Sequence, residues 1–277
     1  MSWFLILRLK GRIWKCILLK EWEECNMLDI IKSEFYKVRK SKVTLVTALC
    51  LLGIAGLNIA VMLYAQIKGG FWLEAMEGTQ GFDLYFGFAS GTFYLVFIAL
   101  FVGGMISNEY TNRTVRQVVS RGTSRVQIAL GQYIVLSTAM TIMTVIPAAL
   151  SGAVATIFWE FGSISAGRFL LTLAGQILLI WSYSAITMLI AHLTRSGGLS
   201  IGINVMLMLG GSTAAMVLAQ LTKKEFFTTY WLLNIQSEAL NYTNSMMRQG
   251  RFAVILFVIG IVFTVLGVIR FKMRDVD

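Results

Sequence analysis

Proline is nearly missing from this sequence. Pro147 is the only one in 277 residues, so little interrupts the backbone hydrogen bonding of long helices. Histidine is equally scarce: His192 stands alone, which leaves no histidine pair for a metal centre. A lone histidine at the predicted edge of an apolar window is read as a satisfied interfacial residue. The cysteines, Cys16, Cys25 and Cys50, are odd in number and lack CxxC spacing, so neither a disulfide framework nor a zinc site is implied. No GxxxxGK(S/T) run occurs, which excludes nucleotide binding by a P-loop. The segment GFASG at 87–91 places Ser90 between glycines but lacks GxSxG spacing, and His192 is expected at the opposite membrane face. An intramembrane serine enzyme is therefore rejected.

Charge is also thin. Only 14% of the residues are charged and 57% are hydrophobic, against about 25% charged in soluble domains. The mean hydropathy is +0.72. These values describe a single membrane domain. Bases outnumber acids 24 to 14, a net charge of +10. They gather in short links between apolar windows, as the positive-inside rule requires, so nucleic acid is not an expected partner.

Six windows are free of Asp, Glu, Lys and Arg: 43–67, 84–108, 126–159, 169–194, 196–222 and 252–269. Each reaches the ~18–20 residues that a helix needs to cross about 30 Å of hydrocarbon. No strand alternation competes, so the spans are helices. The expected fold is an all-α membrane protein with six transmembrane helices, at about 43–67, 84–107, 126–150, 169–193, 197–221 and 252–270. With the N-terminus inside, the inner links hold thirteen bases: Lys32, Lys37, Arg39, Lys40, Lys42, Arg113, Arg116, Arg121, Arg125, Arg195, Arg270, Lys272 and Arg274. The outer links hold six, namely Lys68, Arg168, Lys223, Lys224, Arg248 and Arg251. Both termini are thus expected in the cytoplasm.

Several stretches lie outside this plain drawing. Residues 1–26 are basic and partly apolar, with no signal-peptide core. They are read either as an interfacial helix or as an upstream start, since Met27 opens a natural beginning. A basic amphipathic helix is expected from Asp29 to Lys42, with Ile30, Ile31, Phe35 and Val38 on its apolar side and Lys32, Lys37, Arg39, Lys40 and Lys42 facing the cytoplasm. Window 126–159 is too long for one crossing, so Pro147 is expected to kink or end that helix. The link at 222–250 carries Phe226, Phe227, Tyr230 and Trp231. It is read as an outer re-entrant or interfacial segment and a candidate outer gate, or else as an aromatic anchor of the fifth span.

The basic island at 108–125 is the stretch on which the functional reading turns. Arg113, Arg116 and Arg121 fall near helical spacing with Val115, Val118 and Val119 between them, and a short cytoplasmic helix is predicted. Within the spans, no acid or base lies deep, which disfavours an ion-coupled carrier. Asn58, Gln132, Gln176, Ser182, Ser184, Thr187 and Asn204 are there instead, beside small residues such as Gly53, Gly56, Gly103 and Gly211. They are read as bonds and close contacts between helices, or as the wall of a weakly polar substrate path.

The order of these features carries a resemblance. Glu34 and Lys37 precede the first span. Glu109 closes the second. ExxxxTxRxxxSRGxSR follows, ending in Ser124 and Arg125 at the head of the third. This resembles the ABC-2 type transporter permeases, with Arg113-Thr114 in place of a Gly-Thr and Gly122 to Arg125 in place of a Pro-Ser-Arg. In general appearance it is similar to the bacterial permeases of bacitracin and lantibiotic self-protection. The resemblance covers the chain from about Met27. It implies a multi-pass subunit of a bacterial cell-membrane exporter, paired with a second copy or a sister permease. It further implies that Glu109, Arg113, Thr114, Arg116, Arg121, Ser124 and Arg125 form a coupling helix that docks on a separate ATP-binding-cassette ATPase. Glu34, Lys37, Arg39 and Lys40 would then belong to the interfacial helix. ATP and magnesium would sit in the partner, and this chain would be no enzyme. The cargo implied is amphipathic: a peptide antibiotic, a drug or a lipid-like molecule. The alternative reading is a non-transporting scaffold or sensor subunit, for which arginines that set topology and touch anionic lipid suffice.

Overall fold

The computed structural model describes residues 27–69, 80–112, 114, 124–158 and 160–273. Among them every regular element is helical. The first, α1, runs Met27–Lys40, with Asp29 in its first turn and Lys37, Arg39 and Lys40 in its last, which complements the helix dipole. Ile30, Glu34 and Val38, spaced by four, form its buried stripe. Ser41 ends α1 and starts α2, Lys42–Lys68: its hydroxyl accepts the Val43 N–H at 3.1 Å, the usual N-cap arrangement.

The second window is not one helix. A first piece, α3, spans Gly81–Ser90, and Gly91 breaks it with extended backbone. The chain then resumes as α4 (Thr92–Ile98), one π-helical turn (Ala99–Gly103) and α5 (Gly104–Thr111). Together α4, the π turn and α5 make the second span, Phe93–Thr111, so it starts later than the charge-free window suggests.

The third span, α6, is Arg125–Phe158. Pro147 was expected to kink or end this helix; the ending is corrected, since the helix runs eleven residues past it. Proline removes one N–H from the ladder and crowds the preceding turn. Packing outweighs that cost: Pro147, Ala148, Ser151, Gly152 and Ala155 are buried, with α3 lying along this extension. A methyl group at Gly152 would fall 3.1 Å from Tyr85 Cβ, and one at Gly81 only 2.5 Å from Thr156 Cγ2. At 34 residues α6 is about 51 Å long, which exceeds the ~30 Å hydrocarbon core.

The chain continues through α7 (Ala166–Thr194), α8 (Gly197–Thr222), two short helices α9 (Phe226–Thr229) and α10 (Leu232–Leu240), and α11 (Met246–Met273). Among the described residues, six helices are long and apolar enough to cross a membrane: α2, the α4–α5 unit, α6, α7, α8 and α11. The innermost is α7. It lies parallel to α11, as three contacts in the same sense show. Gln249 Nε2 donates to Thr172 Oγ1 at 2.7 Å, Ser182 Oγ donates to the Leu256 carbonyl at 2.5 Å, and Gly267 lies against Met188. Thr187 donates to Asn204 Oδ1 on α8 at 3.1 Å. These are interhelical bonds of the kind the sequence suggested. Asn58 is a correction: it is exposed and donates to Ile54 of its own helix at 2.9 Å.

By contrast, α2 and α8 touch the bundle along one stripe each. On α2 the stripe is Thr47, Leu51, Ala55, Met62 and Ala65; on α8 it is Ser200, Asn204, Met208, Gly211 and Ala215. Their other faces are bare and apolar, with Leu57, Ile67, Met206 and Leu221 among the most exposed.

Candidate functional site

At one end of the bundle, α1, α5 and α6 meet around charge. Glu34 and Lys37 lie one turn apart on α1, so both side chains reach the same side. Lys37 Nζ donates to Glu34 Oε1 at 2.6 Å and to Glu109 Oε1 on α5 at 2.9 Å. Gln132 Nε2, from α6, donates to Glu109 Oε2. Glu34 is only 6% exposed. The group therefore holds two carboxylates and one ammonium, largely out of water.

Electrostatics follow from that arrangement. Burial, and then repulsion from Glu109, push the Glu34 carboxyl up to about 7, although Lys37 opposes the rise. Burial alone would lower Lys37, but Glu109 and then Glu34 outweigh it and hold the ammonium above the ordinary lysine value. One ammonium between two carboxylates is a fastening. It ties the helix before the first span to the end of the second, and Gln132 extends the tie to the third. Ile30 locks the same contact sterically, since a methyl at Gly131 of α6 would fall 2.8 Å from Ile30 Cγ2.

The last turn of α5 is also tied in the other direction. Tyr110 Oη lies 2.8 Å from His192 Nδ1 on α7. The His192 ring packs on Phe271 of α11 with centroids 4.9 Å apart. Arg195, which closes α7 in a left-handed conformation at φ 55°, sets its guanidinium 5.8 Å above the Tyr110 ring, a cation–π distance. His192 is thus buried and partnered through Nδ1, whereas its Nε2 is buried without a hydrogen-bond partner, so the expected satisfied histidine is met at one ring nitrogen only. Thr114 Oγ1 donates to the Glu109 carbonyl at 3.2 Å beyond the end of α5.

The residues expected to act together divide as follows. Glu34, Lys37 and Glu109 converge, although the sequence pattern assigned them to two separate groups. Lys37 was expected to face solvent and instead turns toward Glu109, because the buried carboxylates stabilise its charge. Phe35, expected on the apolar side, is exposed at 51%, beside exposed Leu28 and Tyr36. Arg39 and Lys40 are exposed. Arg125 donates to the Lys272 carbonyl of α11 at 3.3 Å, and the exposed Ser124 accepts the Ile128 N–H through its carbonyl at 3.1 Å. Arg113, Arg116 and Arg121 lie outside the described residues, as does nearly all of the expected helix at 108–125 beyond the end of α5.

The aromatic segment is at the opposite end of the bundle. Phe226 and Tyr230 are exposed, with ring centroids 4.9 Å apart, and Phe227 packs edge-on against Phe226. Trp231 packs against α8, where a methyl at Gly211 would fall 1.9 Å from its ring. That end also holds two groups that pattern reading missed. Tyr242 donates to Asp83 within a ring cluster of Phe82, Phe86 and Phe161. Gln249 joins Thr172 to the Ala239 carbonyl at 2.7 and 3.0 Å. Neither has a local signature, since Asp83 and Tyr242 are 159 positions apart.

These helices define a multi-pass α-helical membrane protein. Residues 43–276 match the family described as a protein of unknown function, DUF2705, and the chain belongs to that family. No curated protein matches it.

Proposed function

We propose that the chain is the membrane-spanning permease subunit of an ATP-binding-cassette exporter, driven by a separate ATPase. The observation that carries the reading is the fastening of Glu109. This residue sits where α5 runs out toward the basic segment, and it is held by α1 through Lys37 and by α6 through Gln132. A displacement of the link between the second and third spans would pass through it into three helices at once. A slack loop would dissipate such a push. In this reading Arg113, Arg116 and Arg121 dock on carboxylates of the ATPase, where bidentate arginine pairs give register as well as attraction.

The rest of the arrangement accords with that role. Both termini and the basic segment face the cytoplasm, and α1 lies at the inner membrane surface. The bare faces of α2 and α8 suit a second permease and lipid. The aromatic segment around Phe226 and Trp231 forms the outer gate, and the cargo is amphipathic and moves outward. The resemblance to ABC-2 type permeases supports direction and cargo class. A scaffold or sensor subunit is the alternative, and it predicts no ATPase.

The test is recovery of the tagged chain from its native membrane. An ATP-binding-cassette ATPase should accompany it, with a second permease. Intact chain without any ATPase would overturn the proposal. Reversing Arg113 and Arg116 to glutamate should then abolish ATPase association and transport while leaving membrane insertion unchanged.

A further inference from the structure

The charged group at the α1 end holds more negative than positive charge. Glu109 has both oxygens engaged, one by the Lys37 ammonium and one by the Gln132 amide. Glu34 shares the same ammonium, and only 8% of its side chain is exposed. If both carboxylates were ionised, a net charge of −1 would be buried between three helices, at a steep cost in desolvation. The group also has one acceptor too many: Gln132 Oε1 is buried and has no hydrogen-bond donor. A proton on Glu34 cancels the surplus charge.

We propose that Glu34, Lys37 and Glu109 form a proton-binding site in which Glu34 holds the proton, and that its release loosens α1 from α5 and α6. The upward shift of Glu34 to about 7 agrees with this geometry. The other charged groups on the helices packed against α1 are Lys42 at the start of α2, Lys68 at its far end and Arg125 at the start of α6. Neither α2 nor α6 carries an acid, so among the described residues Glu109 is the one carboxylate that another helix brings to the group. The released proton has a short way out, since the Lys37 side chain is 35% exposed. When it leaves, Glu34 and Glu109 repel across one ammonium, which weakens the hold of α1 on α5 and α6. The site does not depend on what, if anything, the chain transports.

Infrared difference spectroscopy of the purified full chain in lipid nanodiscs tests the assignment. The carbonyl stretch of a protonated carboxylic acid should fade with a midpoint near 7. It should be absent from Glu34→Gln and present in Glu238→Gln. A wild-type spectrum in which no acid titrates above the ordinary range of about 4 to 4.5 would overturn the site, without reference to any variant. A band that survives Glu34→Gln would place the proton elsewhere and overturn it too. Hydrogen exchange tests the loosening. Once corrected for the intrinsic pH dependence, α1 amides of the wild type should exchange faster above the midpoint, while Glu34→Gln stays protected throughout. Equal protection of wild-type α1 on both sides of the midpoint would overturn the loosening.

Discussion

The two ends of the bundle each hold a carboxylate fastened across the chain, but by different chemistry. At the α1 end the fastener is an ammonium shared by Glu34 and Glu109. At the other end it is the Tyr242 phenol, which donates to Asp83. Burial, then the Asp83 hydrogen bond and charge, push that phenol up to about 12. The phenol therefore keeps its proton through the physiological range and remains a donor to Asp83 there. The α1 end has a carboxyl that titrates near neutrality. Two carboxylates against one cation make a joint that responds to its surroundings, whereas one carboxylate against a neutral donor among aromatic rings makes a fixed corner.

The most damaging single change should be Lys37→Met. It strands two carboxylates without a counter-charge, a loss of about 3–5 kcal/mol for a buried pair, discounted because a third of the Lys37 side chain meets water. Thermal unfolding in detergent should show it as a lower midpoint. The comparison fails if Lys37→Met is as stable as wild type at pH 7.

The pH dependence comes next. A carboxyl whose folded value is raised binds its proton more tightly in the folded state. Stability is then greatest below about 4.5, and it falls as pH rises to about 7. The loss is at most about 3 kcal/mol, from the size of the shift. Glu34→Gln should flatten this slope, and Tyr242→Phe should leave it intact. A slope that survives Glu34→Gln would mean that the ends do not differ as described.

Tyr242→Phe keeps the ring packing but removes a donor to a carboxylate, at a cost of about 1.5–3 kcal/mol. Proteolysis at the α10–α11 link should become faster, with little change in exchange at α1. The smallest effect expected is that of Gly211→Ala. The Trp231 ring has to give way to the added methyl, and overpacking of this kind costs about 1–3 kcal/mol. Tryptophan fluorescence should shift even where the unfolding midpoint barely moves.

Much of this molecule can be read from its string of residues, and the reasons for the misreadings are specific. Charge-free windows locate the spans because hydrocarbon penalises charge wherever it sits, without regard to neighbours. Pro147 misleads, since the cost of a lost N–H is local but the packing of Gly152 and Ala155 against α3 is not. Lys37 misleads in the same way: the pattern of α1 places it with Lys40, and only the approach of Glu109 turns it inward. Asn58 resembles Gln132 as a polar residue in a span, yet one bonds its own helix and the other a carboxylate on α5.

Composition and spacing alone therefore determine an all-helical membrane chain with six stretches able to cross, because a lipid interior requires every backbone group to be satisfied within its own segment. The tertiary structure alone decides which side chains meet. Lys37 and Glu109 are 72 positions apart, and their pairing depends on α1 folding back over the ends of α5 and α6. Burial then raises the carboxyl of Glu34, a glutamate with nothing unusual in its local sequence, to about 7. Desolvation is a property of the packed neighbourhood, and no local run of residues encodes it.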